Sequence, residues 1–294
     1  MKLCSRPLSH RQLANLKDTL LKLCGFRIDL TCHEALDEAV NSFIESKGFQ
    51  GAEELIVALK NDSTLETASE LIDRLICGPH ALTLNSEHFD HIRSHLLPRL
   101  KGRALRIWIT GCSSGEIAYS LAVLLQEEMQ SREPFDVSIL ATEIGQNILS
   151  YARDGIYEEE AVTDLPAGVI ERYFTKELFE DRYLYHTGDP ISKMVRAASL
   201  NPAGAWPMRG PFDMIFCRNL FDIFPSEGCR TLVYHDITAD NMMLSRYRDI
   251  LSDDGCIFVT HHECGTCQSH QIVIDKRSFI PAALGRDQLA KAWK

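Results

Sequence analysis

The chain has 294 residues and a formal charge of −10, with 31 Lys and Arg against 41 Asp and Glu. That length fits one large α/β domain, alone or with a small helical one, and the acidic balance argues against broad, sequence-independent nucleic-acid binding, which needs a basic footprint. Hydrophobic residues make up 45%, enough for a core. No run approaches eighteen apolar residues and Met1–His10 holds no apolar signal-peptide core, so a cytoplasmic protein without a membrane span is expected.

The first 85 residues read as helical. Leu13, Leu16, Leu20 and Leu23 recur at spacings of three and four, one face of a helix that Ser9 caps and Gly25 stops. Ala35, Leu36, Ala39, Val40 and Phe43 repeat the pattern up to Gly48. Segments 52–59 and 65–76 give two more short amphipathic helices, and Gly78-Pro79 breaks the chain.

After residue 86 the texture changes. Arg106–Thr110 is a short apolar run ending in a glycine-rich turn, followed by a helical pattern over 117–125. Val137–Thr142, Phe212–Cys217 and Cys256–Thr260 are further strand candidates, the last introduced by an Asp253-Asp254-Gly255 turn. Strands alternating with helices predict a doubly wound, Rossmann-like parallel sheet with its ligand at the carboxyl ends of the strands. The expected division is a helical domain and linker over 1–85 and an α/β domain over 86–294. Ten scattered cysteines, several inside apolar runs, read as reduced thiols rather than a disulfide framework.

Three segments carry chemistry. Thr110-Gly111-Cys112-Ser113-Ser114-Gly115-Glu116 joins a strand to a helix, and its glycines permit a tight turn and close approach of a ligand to the main chain. It lacks the third glycine of a dinucleotide fingerprint and the Gly-Lys-Ser/Thr ending of a phosphate loop; a plain tight turn is the bland alternative. Glu143 closes the second strand, where a carboxylate can accept both ribose hydroxyls of an adenosine ligand or simply favour a helix N-terminus. Phe212–Cys217 ends in Arg218-Asn219, a polar pair able to hold an amino or carboxylate group or to serve as an ordinary strand-end turn.

In order and spacing, several blocks over 87–263 resemble the chemotaxis-receptor glutamate methyltransferases, the CheR family. They include Glu87-His88-Phe89, Leu96-Leu97-Pro98-Arg99-Leu100, Gly111–Glu116 with Tyr119-Ser120, and Ala141-Thr142-Glu143-Ile144. Further along come Ala152–Tyr157, Leu200-Asn201, Gly210–Asp213 and Phe216-Cys217-Arg218-Asn219. Gly25–Leu30 is similar to the end of the family's first helix, so the resemblance extends over nearly all of 8–263.

The resemblance implies S-adenosylmethionine as cofactor and in-line transfer of its methyl group to a glutamate of a chemoreceptor-like helical protein. Carried over residue by residue, Gly111, Ser113, Gly115, Glu116, Glu143, Asn201, Asn219 and Leu220 would bind the cofactor. Tyr234 and His80 are the catalytic candidates. The tyrosine depends on register: without a gap Ile223 takes its slot, and with an insertion over 221–231 Tyr234 does.

The sequence also departs from the family. In the family's Asn-Glu-Thr-x-Phe-Phe-Arg linker block the asparagine slot holds Gly78, the threonine slot His80 and the arginine slot Leu84, while Ile117 replaces a loop glutamate and Glu143 an aspartate. The second helix, arginine-rich in the family, has three acids and no arginine over 33–41, and residues 1–84 carry 9 basic against 12 acidic groups. Such a face would repel an acidic receptor helix. The alternative function is therefore a catalytically degenerate methyltransferase fold acting as a binding or regulatory module; a nicotinamide-dependent oxidoreductase is a more distant one. Two smaller features read as bland: His88, His91 and His95 as a partly solvated helix face, and the Cys264/Cys267 pair with nearby histidines as a strand end entering a surface loop.

Overall fold

The structure, a computed structural model, describes residues 7–26, 33–76, 81–99, 103–131, 134–217, 242–262 and 269–275. Four helices come first: α1 (His10–Cys24), α2 (His33–Lys47), α3 (Ala52–Asn61) and α4 (Glu66–Leu75). The Ser9 hydroxyl accepts from the Gln12 N–H while the Gln12 side chain accepts from the Ser9 N–H, a reciprocal capping box. At the other end Gly25 takes a left-handed conformation (φ 65°) and its N–H closes on the Leu21 carbonyl. The apolar stripes of the four helices make one core around Leu16, Leu20, Val40, Leu55 and Leu71, each fully buried. At about 1.5–3 kcal/mol per buried leucine or valine, that cluster holds the helices together despite their modest length.

A short helix α5 (Glu87–His91) continues through a wider turn over Ile92–Leu96 into a tight turn at Leu97–Arg99. Then follow β1 (Leu105–Thr110), α6 (Glu116–Met129), β2 (Val137–Glu143), α7 (Gln146–Asp154), β3 (Ile156–Glu158), α8 (Glu159–Val162) and α9 (Ala167–Tyr173). The chain continues with β4 (Phe174–Phe179), β5 (Arg182–Thr187), α10 (Asp189–Ser192), β6 (Val195–Ser199), β7 (Phe212–Cys217), α11 (Met242–Asp249), β8 (Leu251–His262) and β9 (Ser269–Asp275).

The main sheet has the order β6-β2-β1-β7-β8-β9, parallel except for β9 against β8. Side chains alternate across it, as the two-residue period of a strand requires. Ile107, Ile109, Met214 and Phe216 enter one core with α5 and α6; Trp108, Ile215 and Cys217 enter another with Tyr247 of α11. All six residues of β7 are buried, the mark of a central parallel strand covered on both faces. The chain leaves β1 toward β2 and β6 and then crosses to β7 on the other side. The carboxyl ends of β1 and β7 therefore form the switch point where doubly wound sheets bind ligands.

The expected architecture stands: a Rossmann-like sheet preceded by a helical unit. Several details differ. Strands β3, β5 and β4 form a second, antiparallel sheet that the hydropathy pattern does not reveal, since five of the six residues of β4 are exposed. The Asp253–Gly255 segment does not precede a strand. It lies inside β8 as a bulge, Phe212 pairing with Leu251 and Met214 already with Cys256. His88 is not on a solvated face: it is buried edge-on against Phe216 and Phe258, while His91 stacks on His95 with ring centres 4.7 Å apart. Cys24, Cys112, Cys217 and Cys256 are buried thiols outside any disulfide. Among the described residues, no helix is long and apolar enough to cross a membrane.

Candidate cofactor site

The turn after β1 is held from several sides. The Cys112 N–H donates to the Thr142 carbonyl at 3.0 Å and the Gly115 N–H to the Cys112 carbonyl at 2.9 Å. The Tyr157 hydroxyl donates to the Ser114 carbonyl at 2.9 Å. Gly111 (φ 68°) and Gly115 (φ 91°) take left-handed conformations, and so does Ser113 (φ 54°), a cost its neighbours must hold in place. Gly115 is also sterically required: a Cβ there would sit 3.0 Å from the Ala152 Cβ and 3.1 Å from the Tyr157 hydroxyl. Glu116 opens α6 and is buried behind the turn, close enough to Tyr157 that its charge adds to burial in pushing the phenol well above its ordinary range.

Glu143 ends β2 and is 4% exposed. One carboxylate oxygen accepts from the Ser113 N–H at 3.0 Å, the other from the Ile144 N–H at 2.7 Å. Burial raises its pKa above the usual carboxylate range, against the lowering effect of these backbone donors, and the charge of Asp73 adds to the rise. The end of α1 lies alongside. Cys24 feels the Glu143 charge, and burial pushes its thiol up to about 12, so it is an inert neighbour rather than a nucleophile.

Beside this strand end a cavity of about 820 Å³ opens between the helical unit and the sheet. Its walls include Ser69, Asp73, Ile144, Leu200, Asn201 and Trp206. The volume falls within the range of small-molecule and cofactor pockets. Asn201 follows β6; its amide donates to the Leu23 carbonyl of α1 at 2.9 Å and accepts from the Ala203 N–H at 2.9 Å. The Arg246 guanidinium lies over the Trp206 ring, and the Tyr247 ring stacks on the same indole.

The sequence-derived residues therefore divide. Gly111, Ser113, Gly115, Glu116 and Glu143 are brought together at the ends of β1 and β2, and Asn201 lies on the far side of Ile144 at the cavity. His80, Asn219, Leu220, Tyr234 and the alternative Ile223 lie outside the described residues, as do Gly78 and Cys264/Cys267. The residues present suit an adenosyl ligand. A carboxylate bound to the glycine turn keeps lone pairs for two hydroxyls, and a cavity of about 820 Å³ opens at the next residue, Ile144. Sequence reasoning missed the wall from the helical unit, Ser69 and Asp73; the one hint was Gly145, a helix start with no side chain of its own to cap it.

A glycine turn after β1, a buried acid closing β2 and this strand order define an S-adenosylmethionine-dependent methyltransferase. The family model described as CheR methyltransferase, SAM binding domain, matches residues 82–277. A chemotaxis protein methyltransferase of Borreliella burgdorferi is 31% identical over 263 residues, covering 84% of this chain and 88% of the relative. A probable chemotaxis protein methyltransferase of Rhizobium etli is 27% identical over 229 residues, 76% of this chain and 81% of the relative. Among solved structures, the DszA carbon methyltransferase aligns with a TM-score of 0.36 at 14% identity, over 86% of this chain and 50% of that one; a likeness that slight adds nothing to the strand order. The chain belongs to the CheR methyltransferase family, and this membership favours the enzyme over the catalytically degenerate module.

Proposed function

We propose that the protein methylates a carboxylate side chain of a chemoreceptor-like helical protein in the cytoplasm. The Borreliella and Rhizobium relatives, named as chemotaxis protein methyltransferases, support that substrate class. The observation that carries the cofactor side is Glu143, a buried strand-end carboxylate tied to Ser113 of the glycine turn.

When bound, S-adenosylmethionine supplies an electrophilic methyl group on a sulfonium. Glu143 accepts the two ribose hydroxyls. The turn Gly111–Gly115, packed against Ala152 and Tyr157 at Gly115, would present its main chain to the ligand, and Glu116 fixes the start of α6 behind it. Asn201 and Leu200, which line the cavity, would meet the adenine. Asn219 and Leu220, next in sequence after β7, would add contacts to the cofactor, and Tyr234 and His80 are the candidates at the methyl acceptor. A carboxylate nucleophile needs no strong base, so the chain's task is alignment and exclusion of water. The division near residue 85 into a helical unit and a methyltransferase domain is supported by their separate cores, bridged by Ile144.

Calorimetric titration with S-adenosylmethionine and S-adenosylhomocysteine tests the reading first. Micromolar binding, about −8 kcal/mol, is expected, followed by base-labile transfer of labelled methyl to purified receptor helices. Absence of binding at millimolar ligand would sink it.

A further inference from the structure

The start of α7 is capped from another part of the chain. Its N-cap residue, Gly145, has no side chain to offer, and the first turn of any helix leaves unpaired N–H groups. Here α4 of the helical unit supplies the acceptors. The Asp73 carboxylate takes the Asn147 N–H on one oxygen and the Ile148 N–H on the other, each at 3.0 Å. The Ser69 hydroxyl accepts from the Gln146 N–H at 3.2 Å and donates to the Ile144 carbonyl at 2.9 Å. Asp73 and Ser69 are four residues apart, one turn of α4, so a single helix face grips three consecutive N–H groups some 75 residues further along. A Cβ on Gly145 would collide with the Asp73 carboxylate, so the missing side chain makes room for the cap.

This grip lies at the cofactor site. Ile144, whose carbonyl Ser69 holds, is the residue after Glu143; its N–H binds the Glu143 carboxylate and its side chain plugs the helical core. Ser69, Asp73, Ile144, Gln146 and Asn147 together form one wall of the cavity. Moving α4 off α7 would open that wall and release the peptide that orients Glu143.

We propose that Asp73, seconded by Ser69, is a positioning residue for the cofactor. By capping α7 across the junction it sets the distance between the helical unit and the strand end, and so the width of the adenosyl pocket. The proposal rests on the adenosyl reading of the cavity. It turns on the two acceptors, because each Asp73 oxygen takes a backbone N–H: asparagine keeps one acceptor and puts a donor in place of the other, and alanine keeps neither.

The test compares native protein with D73N, D73A and G145A. S-adenosylhomocysteine affinity is read by calorimetry, the KM for S-adenosylmethionine against kcat by methyl transfer, and protection of the Asn147 and Ile148 amides by hydrogen exchange without ligand. D73A is expected to weaken S-adenosylhomocysteine tenfold or more, to raise KM with kcat at saturation kept within about twofold, and to lose protection at the two amides. D73N, with one acceptor left, should fall between native and D73A, and G145A, which presses on the same carboxylate from the other side, should follow D73A even if D73A itself proves too unstable to purify. Native-like affinity in both D73A and G145A overturns the proposal. Native protein that binds no S-adenosylhomocysteine overturns the adenosyl reading itself, and the proposal with it; the silent native titration tells that case from a failure confined to the variants.

Discussion

Glu143 accepts the backbone N–H of Ser113 at 3.0 Å. The acid closing β2 thus fixes the left-handed residue in the turn after β1, and the same carboxylate is the one proposed to take the ribose hydroxyls. Replacing it with glutamine removes the charge and turns one of two acceptor positions into a donor facing a backbone N–H. Hydrogen bonds to a charged group are worth about 1.5–3 kcal/mol each, so E143Q should weaken S-adenosylhomocysteine by roughly 10- to 150-fold. Calorimetry on E143Q beside native protein checks this; an affinity within threefold of native would remove Glu143 from the site.

The raised pKa of Glu143 gives a pH dependence with a definite sign. Burial favours the neutral acid in the folded protein, so on acidification Glu143 takes its proton at a higher pH than an ordinary glutamate, near 4.3. Between the unfolded and folded values the native state holds a proton that the unfolded state has lost, so this group's contribution to stability falls as pH rises through that window and is constant above it. Ribose hydroxyls require the carboxylate. Binding should therefore weaken on acidification from above the usual carboxylate range, and near that pH it should release a proton. Titrations in buffers of different ionisation enthalpy should show proton release for native protein and none attributable to this site in E143Q.

The Trp108 indole N–H donates to the Thr142 hydroxyl at 2.9 Å, and both residues are buried beneath the switch point. Thr142→Val keeps the shape and leaves the indole N–H without its acceptor. An unsatisfied buried donor costs about 1–3 kcal/mol. T142V should lower the urea midpoint without changing the slope of the transition; an unchanged midpoint would mean that another acceptor takes over.

How much of this was legible in the sequence follows from burial. β1, β2 and β7 stand out because central parallel strands are apolar on both faces. β4 and β5 do not, because they carry Lys176, Glu177, Arg182 and Tyr183 largely into solvent, and such a stretch has no apolar face to count. β6, with the sequence VRAAS, is a short edge strand and too weakly patterned to register. At the site, Glu143 could be found because a strand-end acid is a local feature. Asp73 could not: its partners lie more than seventy residues away, and only the packing of α4 on α7 brings them together. His88 misled for a related reason. Its spacing from His91 and His95 fits one helical face, but the helix widens at Ile92 and packs that histidine onto Phe216 and Phe258.

Gly115→Ala tests the turn from the inside. The new methyl would meet Ala152 at 3.0 Å and the Tyr157 hydroxyl at 3.1 Å, in a backbone conformation that only glycine adopts readily. Strain at a left-handed position and overpacking each cost about 1–3 kcal/mol. G115A should therefore lower the melting temperature by several degrees and also weaken cofactor binding, since the turn must move away from Ala152 of α7 and Tyr157 of β3. Thermal melts with and without S-adenosylhomocysteine read both effects. A melt equal to native would show that Ala152 gives way freely.

Asn201 ties the other side of the junction, its amide reaching the Leu23 carbonyl of α1 as Asp73 of α4 reaches α7. Asn201→Ala loses that bond and the one from Ala203, about 1 kcal/mol each. It should also weaken S-adenosylhomocysteine about tenfold (about 1.4 kcal/mol), because Asn201 lines the cavity. The two tethers hold one body, the helical unit, against the neighbouring ends of β2 and β6. Once either is lost the unit can move, and the second then has less left to position. The affinity losses of N201A and D73A should therefore fall short of additivity in the double variant by at least 0.5 kcal/mol, the lower range of coupling for sites sharing one structural element. A double-mutant cycle on S-adenosylhomocysteine affinity measures this directly. Full additivity would mean that Asn201 contacts the ligand independently of the junction, as the family resemblance implies, and would separate its role from that of Asp73.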